Sequence, residues 1–512
     1  MNRMLLSLTA VCSATFAAAC SGARPSTEPS PRPRGSALRV SIDALVSDPM
    51  FRNANWGLLI LNPVTGDTLY SRNAGKLFMP ASNQKLLTGA TALAQLGPDY
   101  RFSTHFVATG PVSDGVLHGD LLVFGRGDPS MSDAMMGDAM KPLRAAADSL
   151  WLHGVRSISG SLIKGGNAFP DTTLGYGWEW DDLETPSGAA VDELFFNEGI
   201  SRVTVFGGNR PGDPVRIRTA PSRTVPLVVA DFTTGGPTDS SSSASSGVSL
   251  GAKRRAALDW TSDMRGSRPV IHLSGFVAAR DSVTAVVALR DPASAWLDAF
   301  AEALKDRGIT LSGSVVRAPA AMSPAEPLLF TLRSPPLSEI LPHFLKPSQN
   351  QIGELLFHTL ALEVTGVGLP DSGRRVIERQ LLAWGADSAG FAVRDGSGLS
   401  RHDYVTPETI VRVLDAMRRH KDARIFYDAL PIAGVDGSIS GRMKGTAAER
   451  NVHAKTGTVD KARSLSGYVT TADGRALLFS FLCNNFSVPS REVDRVTDAI
   501  LVRLAGMPLA AR

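Results

Sequence analysis

Apolar residues recur along the chain with two different periods, and the two ends of the chain show the same mixture. Near the start, "ALRVSIDALVSD" has helical spacing, while "NWGLLILN" and "DTLYSRN", joined by "PVTG", are typical of strands. Near the end, "SLSGYVTT" and "RALLFSFLCNN" flank a turn, and "REVDRVTDAILVRLAG" is helical again. We therefore expect both ends to contribute strands to one sheet.

The middle of the chain has a different character. Residues 105–285 are Gly-rich, with short β runs such as "GDLLVFGRGDP" and "VTAVVAL", and include the surface-loop tract "TDSSSSASSG". Residues 290–450 return to helical patterns such as "SAWLDAFAEALKDRG". This pattern predicts an insertion of one or two small, mainly β modules at 105–285, within a domain made from residues 37–104 and 286–512.

Composition narrows the class of protein. The 512 residues are 43% apolar and 20% charged, as expected for a soluble globular chain of more than one domain. Lys plus Arg number 53 against 49 Asp plus Glu, too small an excess to indicate nucleic-acid binding. Cys483 lies in an apolar run and is expected to be a buried core thiol.

The first 19 residues have the pattern of a secretory signal peptide. Arg3 is followed by an apolar stretch and by three alanines, residues 17–19, at a cleavage site. Cleavage there would expose Cys20, and "AAAC" resembles the lipobox of bacterial lipoproteins, so membrane anchoring through a lipidated Cys20 and simple secretion are both open. The Pro/Ser/Arg tract that fills residues 20–36 predicts an extended linker.

A candidate nucleophile stands at the start of a predicted helix. In "MPASNQKLLTGATALAQLGP", residues 79–98, Ser82 and Lys85 are three apart, so a helix places hydroxyl and amine side by side. The chain also holds Ser161 and Lys164 at the same spacing, but "SISGSLIKGG" predicts a strand, where such positions point to opposite faces. We expect the first pair alone to cooperate.

Two further short motifs follow Ser82 in the chain. Ser348 and Asn350 form S-x-N just before a predicted helix, and K-T-G occurs once, at residues 455–457, ahead of the C-terminal strands. A second S-x-N at residues 71–73 lies in a polar turn and is interpreted as part of the turn that bounds a hairpin. S-x-x-K, S-x-N and K-T-G in this order form the active-site signature of penicillin-interacting serine acyl-transferases.

The spacing and several longer stretches sharpen this resemblance. The long interval between Ser82 and Ser348 resembles the low-molecular-mass class C penicillin-binding proteins, the penicillin-binding protein 4 type of D-alanyl-D-alanine carboxypeptidase and endopeptidase. Supporting stretches are "GRGDPSM", "GWEWDDL", "RDGSGLSRHDYVTP" and "LPIAGVDGSISGRM". The resemblance implies an α/β (α+β) fold with an antiparallel sheet between helices, plus the inserted β modules.

Elementary chemistry assigns the first roles. A serine hydroxyl needs a base, and Lys85 can serve if burial and the charge of Lys455 lower its pKa. The helix N-terminus and the Ser82 N–H favour a developing oxyanion. The resemblance implies that Ser348 relays a proton to the leaving group and that Asn350 orients Lys85.

Further roles come from the resemblance alone. It implies that Lys455 and Thr456 hold the substrate carboxylate, and that Thr458, after the close-approach residue Gly457, supplies a second oxyanion donor. Asp171 and Arg401 are candidates for binding the stem peptide.

Other conspicuous residues are expected to be structural. These are the turn at residues 395–398, the tryptophans and the lone histidines: Trp178, Trp180, His402 and His453. No H-E-x-x-H or paired-cysteine spacing suggests a metal, and we expect no cofactor.

The leading function is a D-Ala-D-Ala carboxypeptidase, with possible endopeptidase action, whose partners are peptidoglycan stem peptides and β-lactams. The alternatives are a β-lactamase and a non-hydrolytic envelope protein that binds peptidoglycan or penicillin.

Overall fold

The computed structural model describes residues 34–170, 173–235, 256–263, 270–320 and 328–509. The expected signal peptide, most of the linker, Asp171 and the serine tract lie outside these ranges. The first helix begins at Arg34, so residues 34–36, expected as linker, belong to it instead.

The helices and strands have the following bounds. The helices are α1 Arg34–Val46, α2 Gln84–Leu96, α3 Asp133–Met136, α4 Met140–Leu152, α5 Pro292–Arg307, α6 Leu337–Leu345, α7 Asn350–Thr365, α8 Pro370–Ala383, α9 Pro407–Arg419, α10 Ala423–Ala429 and α11 Ser490–Gly506. The strands are β1 Asn55–Leu61, β2 Thr68–Arg72, β3 Ser103–Ala108, β4 Val112–Ser113, β5 Val116–Leu117, β6 Leu121–Phe124, β7 Ser157–Ile158, β8 Leu162–Gly165, β9 Ile200–Phe206, β10 Arg216–Ala220, β11 Leu227–Thr234, β12 Ala256–Asp263, β13 Val270–Val277, β14 Ser282–Ala288, β15 Thr310–Leu311, β16 Val315–Ala320, β17 Leu328–Arg333, β18 Phe391–Ala392, β19 Tyr404–Val405, β20 His453–Val459, β21 Ala462–Thr470 and β22 Ala476–Asn484.

The two ends of the chain form one antiparallel sheet, as the sequence predicts. Its strand order is β2-β1-β22-β21-β20, so the N-terminal hairpin pairs directly with the last strand. The central strands β1 and β22 are buried along almost their whole length. Both their faces are covered, which explains why they appear in the sequence as continuous apolar runs.

Helices cover both faces of this sheet. Trp56, Leu58 and Ile60 of β1 share one apolar cluster with residues of α1 and α11. Leu59, which points to the opposite face because side chains alternate along a strand, shares another cluster with α2, α6, α7, α8 and α9. The sheet between helices is therefore confirmed, and strand β20 forms one of its edges.

The inserted region contains two apolar cores. One joins strands β3, β6 and β8 to α4 and α5, and the other lies among β9, β13 and β14. The first core extends past residue 285, because β17 pairs with β3 and β16 pairs with β8. These pairings lead us to propose that the insertion runs from about residue 103 to about residue 333, rather than from 105 to 285.

Two smaller observations concern the burial of Cys483 and membrane-spanning helices. Cys483 is 1% exposed, and burial raises the pKa of its thiol, as expected for a core cysteine. Within the described ranges, no single helix has the length and apolar character to cross a membrane, although the bent pair α7 and α8 meets that test jointly by length and composition.

Candidate active site

Ser82 and Lys85 lie side by side at the start of α2. Ser82 belongs to a single 3₁₀ turn, Ala81–Asn83, that leads into the helix, and Ala81 has a φ of 48°. Lys85 Nζ lies 2.9 Å from Ser82 Oγ. The helical spacing therefore brings the hydroxyl and the amine together as predicted, and the backbone before the serine is in the left-handed region that most residues avoid.

Lys85 is held by two further acceptors. Its Nζ donates to Asn350 Oδ1 at 2.6 Å and to the Ser397 carbonyl at 2.7 Å. A neutral amine has two protons and one lone pair, so once these acceptors take the protons the lone pair faces Ser82. The side chain is completely buried, and burial lowers the pKa of Lys85 to about 7, although Asp395, Glu354 and Asp403 oppose that change.

The second and third motifs meet opposite this pair. Lys455 Nζ donates to Ser348 Oγ at 2.8 Å and to the Thr456 carbonyl at 2.9 Å. Ser348 has a φ of 66° and lies in the connection between α6 and α7. Burial, and next the charge of Lys85, hold the pKa of Lys455 well below its ordinary value. Burial itself, rather than Lys455, is the main cause of the low pKa of Lys85.

The edge strand β20 touches the start of α2 directly. Asn83 Nδ2 donates to the Lys455 carbonyl at 2.8 Å. A Cβ at Gly457 would lie 2.6 Å from the Pro80 carbonyl oxygen and 2.9 Å from Ser82 N, so only glycine fits there. The first and third motifs are therefore in contact through their backbones.

One edge of β20 faces away from its partner strand β21. The Ala454 N–H points away from β21, because it donates to the Pro431 carbonyl. Strand N–H groups alternate in direction with a period of two residues, which places the Thr458 N–H on the same outer edge. The Thr456 hydroxyl lies 2.6 Å from Ser438 Oγ.

The turn at residues 395–398, interpreted from sequence as structural, supplies the Ser397 carbonyl to Lys85. It is bound to both helices of the site: Gly396 donates its N–H to Glu354 Oε2 at 3.1 Å and accepts from Thr88 Oγ1 at 2.7 Å. A Cβ at Gly396 would approach the Gly353 carbonyl oxygen to 2.2 Å. The repeated glycines of D-G-S-G were the only sequence signal for this close packing.

Three buried carboxyl groups surround this turn. Burial, and next the charge of Asp395, raise the pKa of Glu354 to about 8 and that of Asp403 well above its ordinary value. Asp395 accepts hydrogen bonds from Gly398 N at 2.6 Å and Ser400 N at 2.7 Å. Burial therefore favours the protonated forms of Glu354 and Asp403.

Arg401 lies at the rim of the site and Asp171 lies outside the described residues. Arg401 forms an ion pair with Glu179 at 2.6 Å and donates to the Asp460 carbonyl at 3.0 Å. The carboxylate oxygens of Glu179, Asp181 and Asp182 lie within 4.8 Å of one another, so they form the group in the described chain that could hold a cation. Arg401 already provides a positive charge there.

The other conspicuous residues divide into two kinds. Trp178, interpreted as a packing residue, donates its indole N–H to Asp395 Oδ2 at 3.0 Å, whereas Trp180 is 85% exposed. His453 stacks on Tyr427, and His402 meets the ring of Tyr176 edge to face. The second S-x-N lies on and just after β2, where Arg72 donates to Ser47.

A family model now decides the relationship that this geometry suggests. Residues 38–506 match the D-Ala-D-Ala carboxypeptidase 3 (S13) family. The chain belongs to this family. It is thus a serine-type carboxypeptidase, and S13 membership favours that function over the β-lactamase and the non-hydrolytic alternatives.

Individual S13-like relatives agree with this assignment. The chain is 35% identical over 499 residues to the D-alanyl-D-alanine carboxypeptidase of Actinomadura sp. (strain R39), covering 94% of this chain and 87% of the relative. It is 26% identical over 453 residues to the D-alanyl-D-alanine carboxypeptidase DacB of Haemophilus influenzae, covering 86% and 87% of the two chains.

Solved structures give the same fold. The crystal structure of penicillin binding protein 4 (dacB) from Haemophilus influenzae superposes with a TM-score of 0.76 at 23% identity, covering 91% of this chain and 99% of that one. The same protein complexed with a novel β-lactam gives a TM-score of 0.72 at 23% identity, covering 91% and 100%. The expected penicillin-binding architecture is therefore confirmed.

Proposed function

We propose that Ser82 is the nucleophile of a D-Ala-D-Ala carboxypeptidase that forms an acyl-enzyme with peptidoglycan stem peptides. The observation that carries this proposal is the position of Lys85, buried between Ser82 Oγ, Asn350 Oδ1 and the Ser397 carbonyl. With its protons directed to the two other acceptors, the amine takes the Ser82 proton as the oxygen attacks the penultimate D-alanine carbonyl.

The negative oxygen of the tetrahedral intermediate is stabilised by the N–H groups of Ser82 and Thr458. Support comes from the contact of Gly457 with Ser82 N and from the outward direction of alternate N–H groups on β20. When the C–N bond breaks, Ser348 gives its hydroxyl proton to the departing D-alanine amine and regains one from Lys85, which thereby releases the proton it took from Ser82. Lys455 holds the Ser348 hydroxyl at 2.8 Å. Water then hydrolyses the ester and restores Ser82.

The substrate's terminal carboxylate is bound by Lys455 and Thr456 at the edge of β20. The Thr456 hydroxyl is oriented by Ser438, which lies 2.6 Å away. A free carboxylate next to the scissile bond is what distinguishes a carboxypeptidase substrate, so two hydroxyls and a buried lysine suit that recognition. A β-lactam carries a carboxylate beside a strained amide and would acylate Ser82 in the same pose.

The rim of the site would bind the remainder of the stem peptide. Asp171 and Arg401 are the proposed contacts to a zwitterionic third residue, and the ion pair of Arg401 with Glu179 supports a site of mixed charge there. Endopeptidase action on D-Ala-diaminopimelate crosslinks would use the same acyl-enzyme. The leader pattern of residues 1–19 supports action in the cell envelope or periplasm, with Cys20 as a possible lipid anchor.

The test is release of D-alanine from a peptide ending in D-Ala-D-Ala. We expect release by the wild-type protein, inhibition after preincubation with benzylpenicillin, and no release by Ser82→Ala. A parallel reaction with a crosslinked muropeptide compares the rate of crosslink cleavage with the rate of D-alanine release. Release that persists in Ser82→Ala, with the protein folded, would contradict the proposal.

A further inference from the structure

One segment of the inserted region contacts both groups that hold Lys85. Trp178 Nε1 donates to Asp395 Oδ2 at 3.0 Å, and the Ser187 carbonyl accepts from Asn350 Nδ2 at 3.0 Å. Asp395 begins the turn that presents the Ser397 carbonyl, and Asn350 presents its Oδ1. The insertion is therefore linked to the Lys85 amine by two separate chains of hydrogen bonds. One passes through the turn that begins at Asp395, and the other passes through the side chain of Asn350.

The first path runs through Asp395. Its carboxylate accepts N–H groups from Ser397 at 3.1 Å, Gly398 at 2.6 Å and Ser400 at 2.7 Å, so the loop is wrapped around it. These donors belong to the loop itself, whereas Trp178 is 217 residues away in sequence. The indole N–H thus adds a hydrogen bond from the insertion to the carboxylate itself, beside the bonds from Glu354 and Thr88 that hold Gly396 of the same turn.

The second path runs through the amide of Asn350. Because its NH₂ end donates to Ser187, its oxygen end is turned toward Lys85. The accepting backbone is itself anchored, since buried Gln351 donates to the carbonyls of Pro186, Ser187 and Ala189 at 3.1–3.2 Å. Residues 186–189 are thereby held against the first turn of α7.

We propose that Trp178 is a positioning residue for the general base, acting through Asp395 and the Ser397 carbonyl on Lys85. This inference rests on the proposed role of Lys85. It gives the insertion a task in the chemical step that is independent of the stem peptide. Loss of the indole N–H should therefore slow acylation by every ligand, including one too small to reach the rim of the site.

The test compares Trp178→Phe with Trp180→Phe. Phenylalanine keeps most of the apolar ring but has no N–H, and Trp180, 85% exposed, is the matched control. Acylation by benzylpenicillin is measured at saturation, per active site titrated, together with kcat and KM for a D-Ala-D-Ala peptide. Trp178→Phe should lower both the acylation rate and kcat about tenfold, the scale of one lost hydrogen bond to a charged group, with KM nearly unchanged.

The pH profile gives a readout that a general loss of stability would not change. Without the indole N–H, more of the Asp395 charge is felt at Lys85, whose other charged or titratable neighbours are Glu354, Asp403 and Lys455. The ammonium form is then favoured, so the acid limb of acylation should move to higher pH in Trp178→Phe and stay in place in Trp180→Phe.

Two results would overturn the inference while leaving the proposed function intact. Equal acylation by wild type and Trp178→Phe would show that the hydrogen bond does not act on the base. A rise in peptide KM with normal penicillin acylation would make Trp178 a substrate contact instead. Failure of the wild-type protein itself to be acylated at Ser82 would refute the proposed function, and the inference with it.

Discussion

Lys85 and Lys164 each follow a serine by three residues and are each buried, at 0% and 5% exposure, yet they have opposite surroundings. Lys85 meets a hydroxyl, an amide oxygen and a carbonyl. Lys164 meets two carboxylates, Asp192 at 2.8 Å and Glu193 at 2.9 Å. Burial opposes the charged form of both amines, but for Lys164 the two acids outweigh it and its pKa is raised, whereas the pKa of Lys85 falls to about 7.

Secondary structure decides which serine each lysine can reach. In α2 the spacing of three brings Nζ to within 2.9 Å of Ser82 Oγ. On β8 the same spacing separates the groups, and Ser161 Oγ instead accepts from Ser314 N at 3.2 Å. The same four-residue pattern therefore gives a base next to its nucleophile in one place and a structural ion pair in the other.

The largest expected effect is that of Lys85→Arg. A guanidinium cannot lose its proton in the working pH range, so acylation by benzylpenicillin should fall by at least about 100-fold. Stopped-flow acylation measures this, with exposed Lys76→Arg as the control. Lys85→Met should behave alike, which separates loss of the base from the bulk of arginine. Near-normal acylation by both folded variants would place the base elsewhere.

Lys164→Met should lower the free energy of unfolding and leave the rate of acylation unchanged. Removing the cation leaves the Asp192 carboxylate buried without its partner charge, beside Glu193, whose pKa burial raises to about 8; we expect a loss of about 3 kcal/mol in the free energy of unfolding. Denaturant unfolding measures the loss, with exposed Lys141→Met, in the same part of the insertion, as control. Acylation per titrated site should match wild type, and a loss of that rate would mean the two lysines are functionally linked.

Acylation should depend on pH through Lys85. Its pKa is lowered to about 7, so the neutral, reactive amine predominates above that pH, and the rate should fall about tenfold per unit below it. Lys164, whose pKa is raised, stays charged over the same range and should not change the pH profile of acylation. Measurement of the penicillin acylation rate between pH 5.5 and 8.5 tests this, since a flat profile would contradict a neutral lysine base.

The smallest expected effect is that of Ser161→Ala. Its hydroxyl makes a 3.2 Å contact with a backbone N–H, so we expect a change in unfolding free energy within about 1 kcal/mol and unaltered D-alanine release. Parallel assays of release and thermal melting check both points. A clear loss of D-alanine release in the folded variant would contradict the claim that only the Ser82 and Lys85 pair takes part in catalysis.

Sequence reasoning predicted the parts of the molecule that local periodicity controls. The helix after Ser82, the N-terminal hairpin and the C-terminal strands all follow from repeats of apolar residues that burial on a sheet or helix face requires. The pairings of β16 with β8 and of β17 with β3 were not predictable in this way, because they join residues that are far apart in the chain.

The sequence predicted the residues of the three motifs, but not the other groups that contact them in the site. Ser397 contributes a backbone carbonyl, which leaves no mark on residue type, and Asp395 looked like a turn residue. The link from Trp178 to Asp395 spans 217 residues, and no local pattern encodes such a contact. Backbone acceptors and long-range hydrogen bonds become visible only when the chain is folded.

The most direct test of the account is to map the penicillin adduct by mass spectrometry of proteolytic peptides. After incubation with benzylpenicillin, the wild-type protein should carry one adduct, on the peptide that contains Ser82, and the peptide that contains Ser161 should be unmodified. Ser82→Ala should carry none. An adduct that survives Ser82→Ala, or one that maps to Ser161, would contradict the claim that the helical pair forms the active site.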